Sequence, residues 1–269
     1  MNDTMRLDAA LVERGLCGGR DKAKRLIADG AVTVNGKTIT KASFAVSTGD
    51  AVACAVTERF VGRGGEKLLK VLQETTLDVA GATCVDIGAS TGGFTDCLLQ
   101  HGAAKVFAVD VGHDQLAPTL RADARVVSME GTDIRDREAV SRYIAAGSAA
   151  VCTVDVSFIS LTQIWDSVEE LLRPDGETVV LIKPQFEAGR AALSKRGVVR
   201  HAKDHVRVLQ TLLCFWQEKQ INVKYLSWSP VRGGEGNIEY IAVLTRGSGR
   251  VTAEPSAVVD AAFAAFRES

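Results

Sequence analysis

Apolar residues near the start of the chain recur at helical spacing and then switch to alternation. Leu7, Ala10 and Leu11, with Leu16 beyond them, predict one helix face, and Gly15 stands where that helix would stop. A second helix is predicted from Arg20 or Asp21, with Ala23, Leu26 and Ile27 on one face and Gly30 at its end. The run AVTVNGKTIT then alternates around Asn35-Gly36, a strong hairpin signal, and DAVACAV after Gly49 reads as a further strand. Two helices and a small sheet make a compact α+β unit with little core of its own.

From residue 67 the pattern changes. TCVDIGA, KVFAVDV, ARVVSME, AVCTVDVSF, TVVLIKP and IEYIAVLT are near-continuous apolar runs separated by helical or loop stretches. Such runs suit strands buried on both faces of a mostly parallel sheet, so a doubly wound, Rossmann-like α/β domain is expected, with ligands at the carboxyl ends of its strands. The organisation predicted is a small domain over 1–59, a glycine-rich linker over 60–66, and a large domain over 67–269.

Composition narrows the class. In 269 residues, 46% are hydrophobic and 24% charged, the balance of a folded soluble protein. No run approaches the roughly 18 apolar residues of a membrane span, and MNDTMRLDAA lacks the features of a secretory signal, so a cytoplasmic protein without a membrane partner is expected. Six cysteines with no CxxC pair argue for free thiols and against a zinc finger, with Cys84 and Cys152 read as core residues. His201 and His205 stand four apart, but no third ligand has matching spacing, so surface or capping roles are expected and no metal. Residues 1–67 hold eleven Lys and Arg against eight Asp and Glu, while the remainder is mildly acidic. A small basic unit on an acidic body fits a polyanion-binding appendage.

Candidate chemistry begins with the loop VDIGASTGGFT, which follows the first long strand and opens a helix. Its spacing is neither GxGxxG nor a P-loop. Asp86 within it would repel a pyrophosphate and attract a cationic ligand, while Gly88, Ala89, Ser90, Gly92, Gly93 and Phe94 would let a cofactor approach the backbone. Asp110 ends the second strand, where a carboxylate can accept from ribose hydroxyls, and Thr132 and Asp133 follow the third, placed to meet an adenine edge. An adenosyl cofactor bearing positive charge, S-adenosyl-L-methionine, fits this set.

Four more residues fall at strand or helix ends: Lys67, Asp155, Lys183 and Glu239. Buried lysines and carboxylates are costly unless paired, so their convergence would make either a structural ion-pair cluster or a reaction site. Phe158 and Phe186 would flank a flipped nucleotide or pack beneath a loop. Lys195, Arg196, Arg200, Lys203 and Arg207 form a solvated face or a grip on RNA phosphates.

Two resemblances bear on these alternatives. The order helix, basic helix, VNG hairpin over residues 5–56 resembles the αL RNA-binding module of pseudouridine synthases and a small-subunit ribosomal protein. The basic residues proposed to meet RNA are Arg6, Arg20, Lys22, Lys24, Arg25, Lys37 and Lys41, with Gly19 where the module usually has a capping Ser. Behind it, RGGEKL, DIGASTGGFTD, VFAVDVG, DVSFISL, LIKPQFEAGR and GEGNIEY are similar to the hemolysin A (TlyA) family, rRNA 2′-O-methyltransferases with a catalytic domain related to FtsJ. The resemblance runs from residue 5 to about 245. It implies that Lys67, Asp155, Lys183 and Glu239 form a catalytic tetrad, that Asp155 also lies near the methionine end of the cofactor, and that the acceptor is a ribose hydroxyl, of cytidine by family resemblance. Gly62 stands where Ser is common, which would loosen the linker, and Asp133 where Asn is common.

A ribose hydroxyl needs a positioned base, and Lys183 is the candidate, with Lys67 as a neighbouring cation and the carboxylates as orienting groups. A second cation favours loss of the lysine proton, whereas carboxylates hold it on. The partners implied are ribosomal RNA or ribosomal subunits, met by a monomer or a homodimer. A non-catalytic RNA-binding or assembly factor that binds the cofactor is the alternative, and a hemolysin the third reading.

Overall fold

The computed structural model describes residues 4–17, 19–54, 59–247 and 254–267. Residues 55–58, which hold the end of the last strand predicted in the small unit, lie outside them. The chain divides into two compact units, Met1–Arg59 and Phe60–Ser269.

In the first unit, β1 (Thr4–Arg6) leads into α1 (Leu7–Glu13) and α2 (Arg20–Ala28). The strands β2 (Val32–Val34), β3 (Lys37–Thr38), β4 (Ala45–Ser47) and β5 (Val52–Cys54) follow. β2 pairs with both β3 and β5, and the turn between β2 and β3 has positive φ at both Asn35 (52°) and Gly36 (78°), as a tight hairpin requires. β1 and β4 form a second, two-stranded sheet that the hydrophobic pattern did not suggest. Leu7, Ala10, Leu11, Ala23, Leu26 and Ile27 pack into one core. Leu16 lies past the end of α1 and is 37% exposed, so it leaves the predicted helix face.

The second unit is a seven-stranded sheet between two helical layers. Its elements are α3 (Gly64–Glu74), β6 (Thr83–Ile87), α4 (Gly93–Gln100), β7 (Lys105–Asp110), α5 (Pro118–Arg121), β8 (Val126–Glu130) and α6 (Arg137–Ser141). Next come β9 (Ala149–Val154), α7 (Leu161–Leu171), β10 (Leu172–Ile182), α8 (Pro184–Glu187), α9 (Ala202–Glu218), β11 (Ile221–Trp228), β12 (Tyr240–Arg246) and α10 (Pro255–Ala265). Strand order is β11-β12-β10-β9-β6-β7-β8. The five strands from β10 to β8 are parallel, and β12 and β11 add antiparallel pairs at one edge.

Successive side chains point to opposite faces. Tyr240, Ala242 and Leu244 of β12 enter one core with α7, α9 and α10, while Ile241 and Val243 enter the other with α3 and α4. Along α7, Leu161, Ile164, Trp165, Val168 and Leu171 form the buried stripe, and Ser160 caps its first turn by accepting from Thr162 N at 3.2 Å.

Candidate active site

Strand order reverses between β6 and β9, so α4 and α7 leave toward opposite faces of the sheet and a crevice opens at the carboxyl ends. The loop after β6 turns at Gly88 with φ 82°. A Cβ there would lie 2.6 Å from the Asp155 carbonyl oxygen, so only glycine lets this loop rest against the one that follows β9. Beneath it Asp86 is fully buried. Its carboxylate accepts from Thr95 N (2.9 Å), Thr95 Oγ1 (2.7 Å) and Thr153 Oγ1 (2.8 Å), and burial pushes the carboxyl up to about 6. Asp86 braces the loop from below and is not among the residues lining the cavities over it.

A cavity of about 540 Å³ opens above, with Gly88, Ser90, Asp110, Thr132, Asp133 and Asp155 in its wall and Val111, Ile134 and Val156 as apolar surface. Asp110 is held by Ser90 N and Gly112 N, both at 2.7 Å. Asp133 is gripped by Arg135, whose nearest nitrogen is 2.6 Å away, and this hydrogen bonding keeps the carboxyl below its usual range. Arg135, absent from the sequence reading, therefore occupies part of the acceptor capacity expected for an adenine amino group. A smaller cavity of about 200 Å³ continues past Ala89, Gly93 and Phe94 to Asp155 and Lys183. Gly92 lines neither; it sits at the start of α4.

Size, apolar walls and a few convergent polar groups suit an adenosyl cofactor. The stretch before α3 is packed rather than loose: Phe60 is 3% exposed, Val61 N donates to Asp96 at 2.8 Å, and a Cβ on Gly62 would meet Thr91 Oγ1 at 2.7 Å. The helix itself begins at Gly64.

The four ionisable residues converge beside these cavities. Lys67 Nζ donates to Glu239 Oε2 at 2.8 Å and lies 3.7 Å from Asp155 Oδ2. Lys183 Nζ lies 2.6 Å from Asp155 Oδ1, a charge contact without hydrogen-bond geometry, since Oδ1 is buried with no hydrogen-bond partner. The hydrogen bond from Lys183 goes instead to Ser157 Oγ at 2.9 Å. Lys67 and Glu239 are 8% and 3% exposed, so the alternation of cation and carboxylate is what makes their burial tolerable. Beyond Lys183 a third cavity of about 670 Å³ extends past Glu239, Phe158, Phe186, Arg190 and Arg196. Phe158 is 91% exposed at φ 64°, with its ring 5.0 Å from that of Phe186, so it does not pack beneath a loop.

Of the seven basic residues singled out in the first unit, Arg6, Arg20, Lys24, Arg25, Lys37 and Lys41 are exposed and Lys22 is partly so. Arg6 and Arg20 both bind the buried Asp8, at 2.9 and 3.2 Å, and these contacts hold its carboxyl down to about 2. Gly19 gives α2 no side-chain cap. The stretch from Lys195 to Arg207 exposes all five of its basic side chains. His205 is a core residue: its ring contacts the Val199 carbonyl at 3.0 Å and the Tyr240 hydroxyl at 2.9 Å, and burial lowers its pKa.

Comparison with known proteins agrees with this geometry. Residues 60–246 match the FtsJ-like methyltransferase family, and residues 5–52 match the S4 domain. A Bacillus subtilis protein provisionally named as an rRNA methyltransferase, YqxC, is 45% identical over 237 residues, covering 88% of this chain and 84% of that one. The 16S/23S rRNA (cytidine-2′-O)-methyltransferase TlyA of Mycobacterium tuberculosis is 39% identical, covering 87% of each chain. A solved structure from Streptococcus thermophilus, provisionally named a hemolysin, superposes with a TM-score of 0.78 at 39% identity over 100% of this chain and 98% of that one. The chain belongs to the FtsJ-like methyltransferase family and carries an S4 domain at its N-terminal end.

Proposed function

We propose that this protein transfers a methyl group from S-adenosylmethionine to a ribose 2′-hydroxyl of ribosomal RNA, at a cytidine. The carrying observation is the Lys67-Asp155-Lys183-Glu239 cluster, buried at Lys67 and Glu239 and half-buried at Asp155 and Lys183, which stands between a cofactor-sized cavity and a second, open one rimmed by arginines. The cytidine assignment rests on the name of the Mycobacterium tuberculosis relative. Bound in the 540 Å³ cavity, the cofactor would supply an electrophilic methyl on a sulfonium.

Asp110 would accept from the ribose hydroxyls of that cofactor, and Thr132 and Asp133 would face its adenine. Lys183 would take the proton of the acceptor hydroxyl, while Asp155 holds it in place. Lys67, fixed by Glu239, supplies the second positive charge beside the reacting oxygen. Alignment of acceptor and donor across the cluster does the rest. Phe158 and Phe186 form an aromatic wall on which an unstacked base could lie, and Arg190 and Arg196 suit its phosphates.

The S4 domain supports capture of structured RNA. A cytoplasmic site of action suits six cysteines that form no disulfide, and among the described residues no helix is long and apolar enough to cross a membrane. The test is labelled methyl transfer to ribosomal subunits and to naked rRNA, with digestion to nucleosides and separation by mass. A labelled 2′-O-methylcytidine is expected. Cofactor binding without incorporation on any substrate would favour a non-catalytic assembly factor.

A further inference from the structure

Ser157 lines all three cavities: the one assigned to the cofactor, the small one beside it, and the open one beyond Lys183. It is exposed, lies two residues past Asp155, and its Oγ accepts the hydrogen bond from Lys183 Nζ at 2.9 Å. Asp155 Oδ1 is nearer to the same nitrogen, at 2.6 Å, but without hydrogen-bond geometry. Charge and direction are thus supplied by different neighbours. Asp155 holds the amine by attraction, and Ser157 sets which way it points.

We propose that Ser157 is a positioning residue for Lys183, turning its amine toward the mouth where donor and acceptor cavities meet. An amine nitrogen has four tetrahedral directions. One is the bond to Cε, one N–H points at Ser157 Oγ, and the negative charge of Asp155 favours the remaining N–H over the lone pair on its own side. The fourth, the lone pair of the neutral amine, is then left facing the acceptor. Without Ser157, rotation about Cε–Nζ exchanges lone pair and N–H freely. This rests on the reading of Lys183 as the base. In the balanced step the 2′-oxygen forms its bond to the methyl carbon as the carbon–sulfur bond breaks, the sulfur keeps the electron pair, and the hydroxyl proton ends on Lys183.

The other charged groups around Lys183 are Asp155 from the loop after β9, Lys67 from α3 across Asp155, and Glu239 before β12, paired with Lys67. None changes when Ser157 is replaced. An oxygen accepting from the ammonium form favours that form. Ser157→Ala therefore lowers the plateau kcat about tenfold or more and moves the acid limb of the pH–rate profile to lower pH. Ser157→Thr, which keeps the hydroxyl, restores the limb.

Affinity for S-adenosylmethionine by calorimetry, and KM for RNA, stay within about threefold, because the hydrogen bond of this hydroxyl runs to Lys183, which does not line the cofactor-sized cavity. An unchanged kcat in Ser157→Ala overturns the inference. So does a fall in kcat matched by lost cofactor affinity with the acid limb unmoved. Wild type assayed alongside separates the two levels: absence of any 2′-O-methyl product from it sinks the functional reading and this inference together, whereas a normal wild type with an unaffected Ser157→Ala sinks the inference alone.

Discussion

Glu239 reaches Lys67 only because nothing fills the space behind it. A Cβ on Gly233 would lie 2.4 Å from Glu239 Oε1. Gly233→Ala should push the carboxylate off Lys67 and leave this buried cation to the more distant Asp155, a loss of about 1–3 kcal/mol in stability or its equivalent in activity. Thermal unfolding together with the transfer rate checks this; a variant normal in both would show that the pair is not needed. Asp86 makes a second residue-level prediction. Its carboxyl is raised to about 6 from an ordinary value near 4, so the fold favours the neutral form. That contribution is fully present below about pH 4 and is lost as pH rises through 6, on the order of 3 kcal/mol. Chemical denaturation of wild type against Asp86→Asn between pH 4 and 6 should show the difference shrinking in that sense, and a pH-independent difference would contradict it.

At the scale of elements, Asp8 ties Arg6 of β1 to Arg20 of α2. Asp8→Asn adds positive charge to the first unit yet unlocks both guanidiniums. If their placement matters for RNA phosphates, affinity falls several-fold in a filter or anisotropy assay; if only charge matters, affinity rises. Legibility followed length and regularity. The two helices of the small unit and the hairpin at Asn35-Gly36 stand where periodicity put them, and so do six strands of the large sheet. β1 and β4, of three residues each, are too short to show a period. β11 was missed because a register shift between Val223 and Tyr225 breaks its alternation, and Asn222 and Lys224 interrupt its apolar run. The tetrad was readable as four strand-end or helix-end positions, but its pairing joins residues 172 apart, a contact no local pattern encodes. Arg135 carried no signal, and Ser157 stood inside the run DVSFISL without being singled out, since a polar loop residue has no period to break.

For the whole molecule, the hemolysin reading has a direct test. Among the described residues no helix is long and apolar enough to cross a membrane. Purified protein should leave erythrocytes intact, measured as released haemoglobin; dose-dependent release would reopen that reading. The central claim is that the paired lysine and carboxylate cluster performs methyl transfer to a ribose hydroxyl. Single-turnover transfer by Lys183→Met, with cofactor and RNA both saturating, tests it most directly. The account predicts a fall of about a hundredfold to ten-thousandfold in rate, with cofactor affinity retained. A Lys183→Met protein that transfers the methyl at the wild-type rate would contradict it.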